Sequence, residues 1–142
     1  MILLCIAHYP IKKTITTILS FTILLHGRTT KTVGTIQYFI NAKASQLTYF
    51  IRAFLNRRIA YSEMELYFWD TMEEWSQVKI GKHLPCGQRE IVFWHLLYQM
   101  HYWPEQTLLN DLYLRSQLNT CLEYLESEHP YPLPLDCIGM RP

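Results

Sequence analysis

The sequence predicts an all-α protein: a small antiparallel bundle of about four helices, followed by an extended Pro-rich C-terminal tail. Apolar residues recur three and four positions apart in three segments between residues 47 and 125, as on the buried face of a helix. Glycine and proline interrupt the helical pattern at residues 81–87 and at Pro104. An apolar fraction of 49 % beside a charged fraction of 18 % argues against a disordered chain.

We predict a leader at residues 1–40 and a single helical domain at residues 41–142. Residues 1–62 carry basic side chains and no acidic one, whereas all Asp and Glu residues lie at or beyond Glu63. Residues 14–25 are uncharged and mostly apolar, and a lysine pair precedes them, which is the outline of a secretory signal. A membrane-spanning helix needs about 20 apolar residues, so this run is short.

Three interpretations of the leader stay open. It is a signal or short membrane anchor, a buried N-terminal strand or helix, or sequence upstream of the native start, for which Val33 is a candidate. The first interpretation places the domain at a membrane or outside the cytosol, and any membrane contact depends on residues 14–25.

The first helix is predicted from Ala42 onward. Its apolar residues follow the order i, i+3, i+4, i+7, i+8 and i+12, while arginines occupy the other faces. The stripe consists of Leu47, Phe50, Ile51, Phe54, Leu55 and Ile59.

The second helix is predicted to start at a capping box and to run to about Val78. In this motif Ser62 accepts from the amide of Glu65, and the Glu65 side chain bonds back to the amide of Ser62. Tyr61 and Leu66 are placed for the accompanying hydrophobic staple. The residues expected to be buried are Met64, Phe68, Met72 and Trp75.

The third helix, roughly 88–103, is apolar on nearly every face, which predicts the central, most buried helix. Pro104 ends it and suits the first turn of a last helix over 105–126. Prolines at alternate positions, from Pro130 to Pro134, then enforce extended backbone. The inward stripe of the last helix is predicted to be Leu108, Leu112, Leu118, Cys121, Leu122 and Leu125.

Cys86 is the candidate nucleophile. It directly precedes the third helix, where free amides and the helix dipole favour a thiolate, and His83 three residues earlier is a candidate base. An ordinary loop cysteine is the simpler interpretation, because sequence shows neither proximity nor access. A thiol-dependent enzyme is therefore an alternative, and no catalytic residue is assigned.

The candidate metal ligands are His83, Cys86, Glu90 and His95, whose side chains are of types that bind transition metals. Their spacing argues against a site, because Glu90 and His95 on one helix point about 140° apart at 3.6 residues per turn. The chain has no HExxH motif, and its cysteines fit no zinc or CxxC spacing. No metal or other cofactor is predicted.

Aromatic and basic residues predict contact with another macromolecule. Trp69 lies off the buried stripe of the second helix, and Trp, Tyr and Arg dominate interface energetics. Arg52, Arg57 and Arg58 form a basic patch, for which the acidic second helix is the expected intramolecular neighbour. The candidate partner-binding residues are Trp69, Tyr67, Arg57 and Arg58.

We therefore expect a non-enzymatic, cytoplasmic, bacterial-type protein that binds a protein partner or forms a homo-oligomer. A net charge of +1 argues against a nucleic-acid binder that relies on bulk charge. Two alternatives stay open: a thiol- or metal-dependent enzyme centred on Cys86 and nearby histidines, and a membrane-associated helical domain tethered through residues 14–25.

Overall fold

Helices account for most of the chain that the computed structural model describes, namely residues 36–79, 81–128 and 132–142. These ranges contain helices and no strand, so the all-α prediction is confirmed. None of their helices has the length and apolar character that a membrane crossing needs. The predictions for residues 14–25 and Val33 lie outside these ranges. The described helices are α1 (Ile36–Leu55), α2 (Tyr61–Ser76), α3 (Gln88–Tyr102), α4 (Glu105–Asn110) and α5 (Leu112–Glu126).

Helix α1 starts before the predicted position, inside the range that we assigned to the leader. Ile36, Phe39 and Ile40 are buried, because the apolar stripe of the first helix continues backward with the same helical spacing. Lys43 interrupts the stripe and is buried as well. Its stem lies against the core, and its ammonium group is paired with Glu74 of α2.

Helix α1 ends at Leu55, short of the predicted Ile59, in a turn that satisfies its last carbonyls. Arg58 N donates to Ala53 O at 2.8 Å, and Arg57 N donates to Phe54 O at 2.8 Å. This is the Schellman pattern, which needs a left-handed residue after the helix. Arg57 takes that position with φ of 57°, although glycine is the residue that adopts it without strain.

The predicted capping box at the start of α2 is wrong. The helix begins at Tyr61 and Ala60 is the N-cap residue, with no side-chain cap, so Ser62 already has a helical backbone and cannot cap. The staple is wrong too, because Leu66 is exposed. The end at Ser76 lies close to the predicted one. Of the predicted buried residues, Met64, Phe68 and Trp75 are buried and Met72 is partly buried.

Helix α3, predicted to be the central helix, shares that position with α1, which also contacts three other helices. Helix α3 contacts α1, α2 and α5. Phe93 and Trp94 are fully buried and form an aromatic cluster with Phe39 of α1 and Trp75 of α2, with ring centroids 4.9 to 6.4 Å apart. The central position follows from an apolar residue on almost every face of the helix.

The predicted last helix is in fact two helices, α4 and α5. Asp111 has an extended backbone between them, and its carboxylate accepts a hydrogen bond from Leu114 N at 2.9 Å, which caps α5. The break turns Leu112 outward, so its predicted inward position is wrong. The other predicted inward residues are buried: Leu108, Leu118, Cys121, Leu122 and Leu125.

Residues 132–142, here called the C-terminal segment, contact the loop before α3 and the first turns of α3. Arg141 forms a two-bond ion pair with the buried Glu90 and also donates to the carbonyls of Lys82 and Leu84. Gly139 lies directly on α3: a Cβ atom there would be 2.1 Å from Ile91 O. Only a residue without a side chain allows this close approach.

Candidate functional site

The structure does not support the predicted pairing of Cys86 with His83. Cys86 lies just before Gly87, the N-cap of α3, and is half-buried, while His83 is exposed. No hydrogen bond joins the two side chains in the ranges that the structure describes. The described loop therefore shows no hydrogen bond that would activate the thiol, and the pairing of Cys86 with His83 stays a prediction.

The four predicted metal ligands do not form one site. Glu90 has other partners. Its carboxylate accepts hydrogen bonds from Nε and Nη2 of Arg141 and from Trp94 Nε1 at 3.1 Å. His95 lies a turn and a half further along α3 and belongs to a different cluster. The predicted ligands do not converge because Glu90 and His95 point in different directions from the same helix.

His95, Cys121 and Cys137 come together instead. One ligand atom from each of these residues lies within 4.8 Å of the ligand atoms of the other two. Cys121 is buried, while His95 and Cys137 are half-buried. Imidazole nitrogen and thiolate sulfur are the donors that zinc and copper(I) favour in proteins.

Three separate elements position this cluster. His95 is on α3 and Cys121 is on the neighbouring α5, and these helices pack against each other. Cys137 reaches them from the C-terminal segment, after a turn in which Asp136 has a φ of 62°. Gly139 then lets the backbone lie against the backbone of His95 itself.

The two thiols differ in their tendency to ionise. A hydrogen bond to Cys137 raises the pKa of Cys121, and burial raises it further. The same hydrogen bond lowers the pKa of Cys137. Burial lowers the pKa of His95, against the opposing effect of the Asp136 carboxylate. The cluster therefore combines a neutral imidazole with one thiol that ionises more readily than the other.

No local pattern in the sequence points to this cluster. Its members are separated by 26 and 16 residues, and we expected Cys121 only as a core residue. An alternation in the C-terminal segment becomes visible only in the structure. Cys137, Gly139 and Arg141 are directed at the helices, while Ile138 and Met140 between them are exposed, which is the periodicity of extended backbone.

The predicted partner-binding residues divide into one that is buried and three that are exposed. Tyr67 retains only 6 % exposure, and its hydroxyl donates to Lys43 O at 3.0 Å, so its prediction as a surface anchor is wrong. The physical reason is its place on the side of α2 that faces α1. Trp69, Arg57 and Arg58 are exposed.

Trp69 lies among other rings between α2 and the end of α3. Its ring is 5.1 Å from that of Phe68 at 86° and 5.5 Å from that of His101 at 79°, both edge-on arrangements. The His101 ring stacks on Phe68 at 4.0 Å, with its Nδ1 atom 3.6 Å from a Glu65 carboxylate oxygen. We call Trp69, His101 and Glu65 the Trp69 surface.

The basic patch has a different neighbour from the one predicted. Arg52 forms two hydrogen bonds of 2.6 and 2.7 Å with Glu126 of α5, and not with the acids of α2. Within the described ranges, neither Arg57 nor Arg58 takes part in an ion pair. A shallow groove of about 310 Å³ beside Arg52 is lined in part by Tyr49 and Arg58.

No family model, no curated protein and no solved structure matches this chain.

Proposed function

We propose that this protein acts by binding another protein through the Trp69 surface. The observation that carries the proposal is the 58 % exposure of the Trp69 side chain. A tryptophan can bury about 150–250 Å², so covering the exposed part is worth about 2–4 kcal/mol at 25 cal/mol per Å². That is the size of a binding hot spot.

The neighbouring rings support this role because two of them contact the Trp69 ring edge-on. Phe68 is buried, and His101 stacks on it. A side chain that is already ordered loses less conformational entropy when a partner covers it.

Charge indicates what kind of partner fits. Glu63, Asp70 and Glu73 are exposed on α2, and this helix contains no lysine or arginine. Acidic groups around an apolar anchor favour a partner with a basic face and speed the encounter with it. A second copy of this chain is one such partner, since Arg57 and Arg58 are exposed.

Two further predictions belong to this proposal. The helices pack as an antiparallel bundle, which the short connections from α1 to α2 and from α3 to α4 support. The protein works in the bacterial cytosol, which agrees with cysteine spacings that indicate no secreted disulfide framework.

The test compares Trp69→Ala with Tyr113→Ala. Tyr113 of α5 is 72 % exposed and serves as a matched aromatic control away from the Trp69 surface. Sedimentation equilibrium of the full chain over a concentration range measures self-association. A photo-crosslinking amino acid at the exposed position 66, one turn before Trp69, or at position 113 identifies a different partner in cells, and that partner is then purified for affinity measurement.

We expect Trp69→Ala to weaken the association about 30-fold or more, corresponding to about 2 kcal/mol, and Tyr113→Ala to leave it unchanged. Circular dichroism checks that both variants stay folded. The proposal is wrong if Trp69→Ala leaves self-association and every crosslinked complex at wild-type affinity.

A further inference from the structure

The His95, Cys121 and Cys137 side chains surround a common point at a spacing close to that of a zinc site. Zinc binds sulfur at about 2.3 Å and imidazole nitrogen at about 2.0–2.1 Å, so tetrahedral ligands lie about 3.5–3.8 Å apart. Here the three ligand atoms are all within 4.8 Å of one another. Inward movements of about 1 Å, reached by small side-chain rotations, would bring all three to bonding distance.

The backbone around the cluster is held without help from a metal. Gly139 is in contact with α3, and Arg141 is paired with Glu90. These two contacts hold the backbone that follows Cys137, and the turn at Asp136 directly precedes it. His95 is held by the buried helix α3. A site whose ligands are already in place loses little entropy when it binds.

Charge and burial select the ion. Two thiolates and one neutral imidazole compensate the charge of Zn²⁺, whereas they would leave Cu⁺ with a net negative charge in a partly buried place. Thiolate donors also discriminate against Mg²⁺ and Ca²⁺, which prefer oxygen. Because His95 and Cys137 are only half-buried, solvent can reach the cluster from their side.

We propose that His95, Cys121 and Cys137 bind one Zn²⁺ ion, with water or a partner's side chain as the fourth ligand. Each thiol releases its proton to solvent as its sulfur binds, and no electron is transferred. The ion links α3, α5 and the C-terminal segment. This site is independent of the Trp69 surface, since it uses none of the same residues.

The experiment titrates the full chain, reduced and metal-free, with ZnCl₂ and in parallel with CoCl₂. Equilibrium dialysis gives the stoichiometry and the affinity. Cobalt reports its ligands directly, through thiolate-to-metal charge transfer and the visible bands of a tetrahedral ion. The test variants are Cys137→Ser and His95→Gln, both at half-buried positions. The controls are Cys86→Ser and Cys5→Ser, which remove the two other thiols of the chain.

We expect one zinc ion per chain, with affinity reduced at least tenfold in Cys137→Ser and His95→Gln and unchanged in both controls. Circular dichroism in the absence of metal must show the same helix content in all variants. The proposal is overturned if the wild type binds no stoichiometric zinc, in which case the two cysteines form only a hydrogen-bonded thiol pair. It is overturned equally if affinity falls in the controls and not in the test variants.

Discussion

Replacing Arg141 by methionine tests how strongly the C-terminal segment is held. The substitution keeps most of the aliphatic stem and removes the charge that pairs with Glu90. Arg141 and Glu90 side chains are 13 % and 6 % exposed, so the pair lies almost entirely out of water. Removing one partner of a buried ion pair costs about 3–5 kcal/mol.

We expect a loss near the lower end, about 3 kcal/mol in the free energy of unfolding. Trp94 Nε1 still donates to the Glu90 carboxylate after the substitution. The C-terminal segment can also withdraw and let water reach that carboxylate, which limits the penalty. The measurement is urea unfolding, followed by tryptophan fluorescence and by helical circular dichroism.

Arg52→Met is a matched control, because Arg52 makes the same kind of two-bond pair with Glu126. Those side chains are 41 % and 37 % exposed, so the control should lose less than about 1 kcal/mol. Adding Glu90→Gln to Arg141→Met should recover part of the loss, since a neutral amide is cheaper to bury than a carboxylate. Equal losses in Arg141→Met and Arg52→Met would refute the reasoning.

Three further predictions concern single positions. Arg57→Gly should stabilise the fold by about 0.5–1 kcal/mol in urea unfolding, because glycine adopts the left-handed turn after α1 without strain. Gly139→Ala should cost about 1–3 kcal/mol and speed alkylation of Cys137, because the new Cβ meets the α3 backbone. The hydrogen bond from Arg52 lowers the pKa of Glu126 below its usual range, so Arg52→Gln should raise that pKa in a carboxyl NMR titration.

The first two of these have their own controls. Arg57→Ala should bring no gain, since alanine is strained at the same φ. Cys86 in the Gly139→Ala sample should keep its alkylation rate. Because the folded-state pKa of Glu126 is lowered, the pair with Arg52 stabilises the fold above the unfolded-state pKa and is lost as pH falls through the folded-state value. The first argument is contradicted if Arg57→Ala also stabilises the fold. The second is contradicted if Gly139→Ala leaves the alkylation rate of Cys137 unchanged, and the third if Arg52→Gln leaves the pKa of Glu126 unchanged.

Local patterns predicted the interior of the helices well. Helix α3 was predicted as central from its own residues, because a segment that is apolar on every face has to be surrounded. The same local reasoning placed Trp69 on the surface, since it lies off the buried stripe of α2. The prediction that Tyr67 is a surface anchor was wrong because its hydroxyl donates to the carbonyl of Lys43 inside the core.

Helix ends were predicted less well, although signals existed for some of them. The stripe of α1 continues back through Ile40 to Ile36, so the predicted start at Ala42 was too late. Asp111 is a typical N-cap residue, but the apolar pattern on both sides of it suggested one continuous helix. At α2, Ser62 is part of a strong capping motif, yet the helix begins at Tyr61. The Tyr61 ring lies beside Phe54, and its hydroxyl donates to a carbonyl of α3 and to that of Trp103.

The cluster of His95, Cys121 and Cys137 lay beyond what the sequence could show. Its members lie on two helices and an irregular segment, so their meeting depends on how α3 packs against α5. The predicted ligand set failed for the opposite reason. It grouped residues that are close in sequence, and the helix then separated them in space.

The pairing of Glu90 with Arg141 also sets an order of events during protein synthesis. The two residues are 51 positions apart, so at about 5–20 residues per second the ribosome needs roughly 3–10 s to supply the arginine after the glutamate. Until the arginine is added, Trp94 is the partner that remains of those that the carboxylate has in the described fold. The first turns of α3 can therefore reach their final packing only after residue 141 has been added.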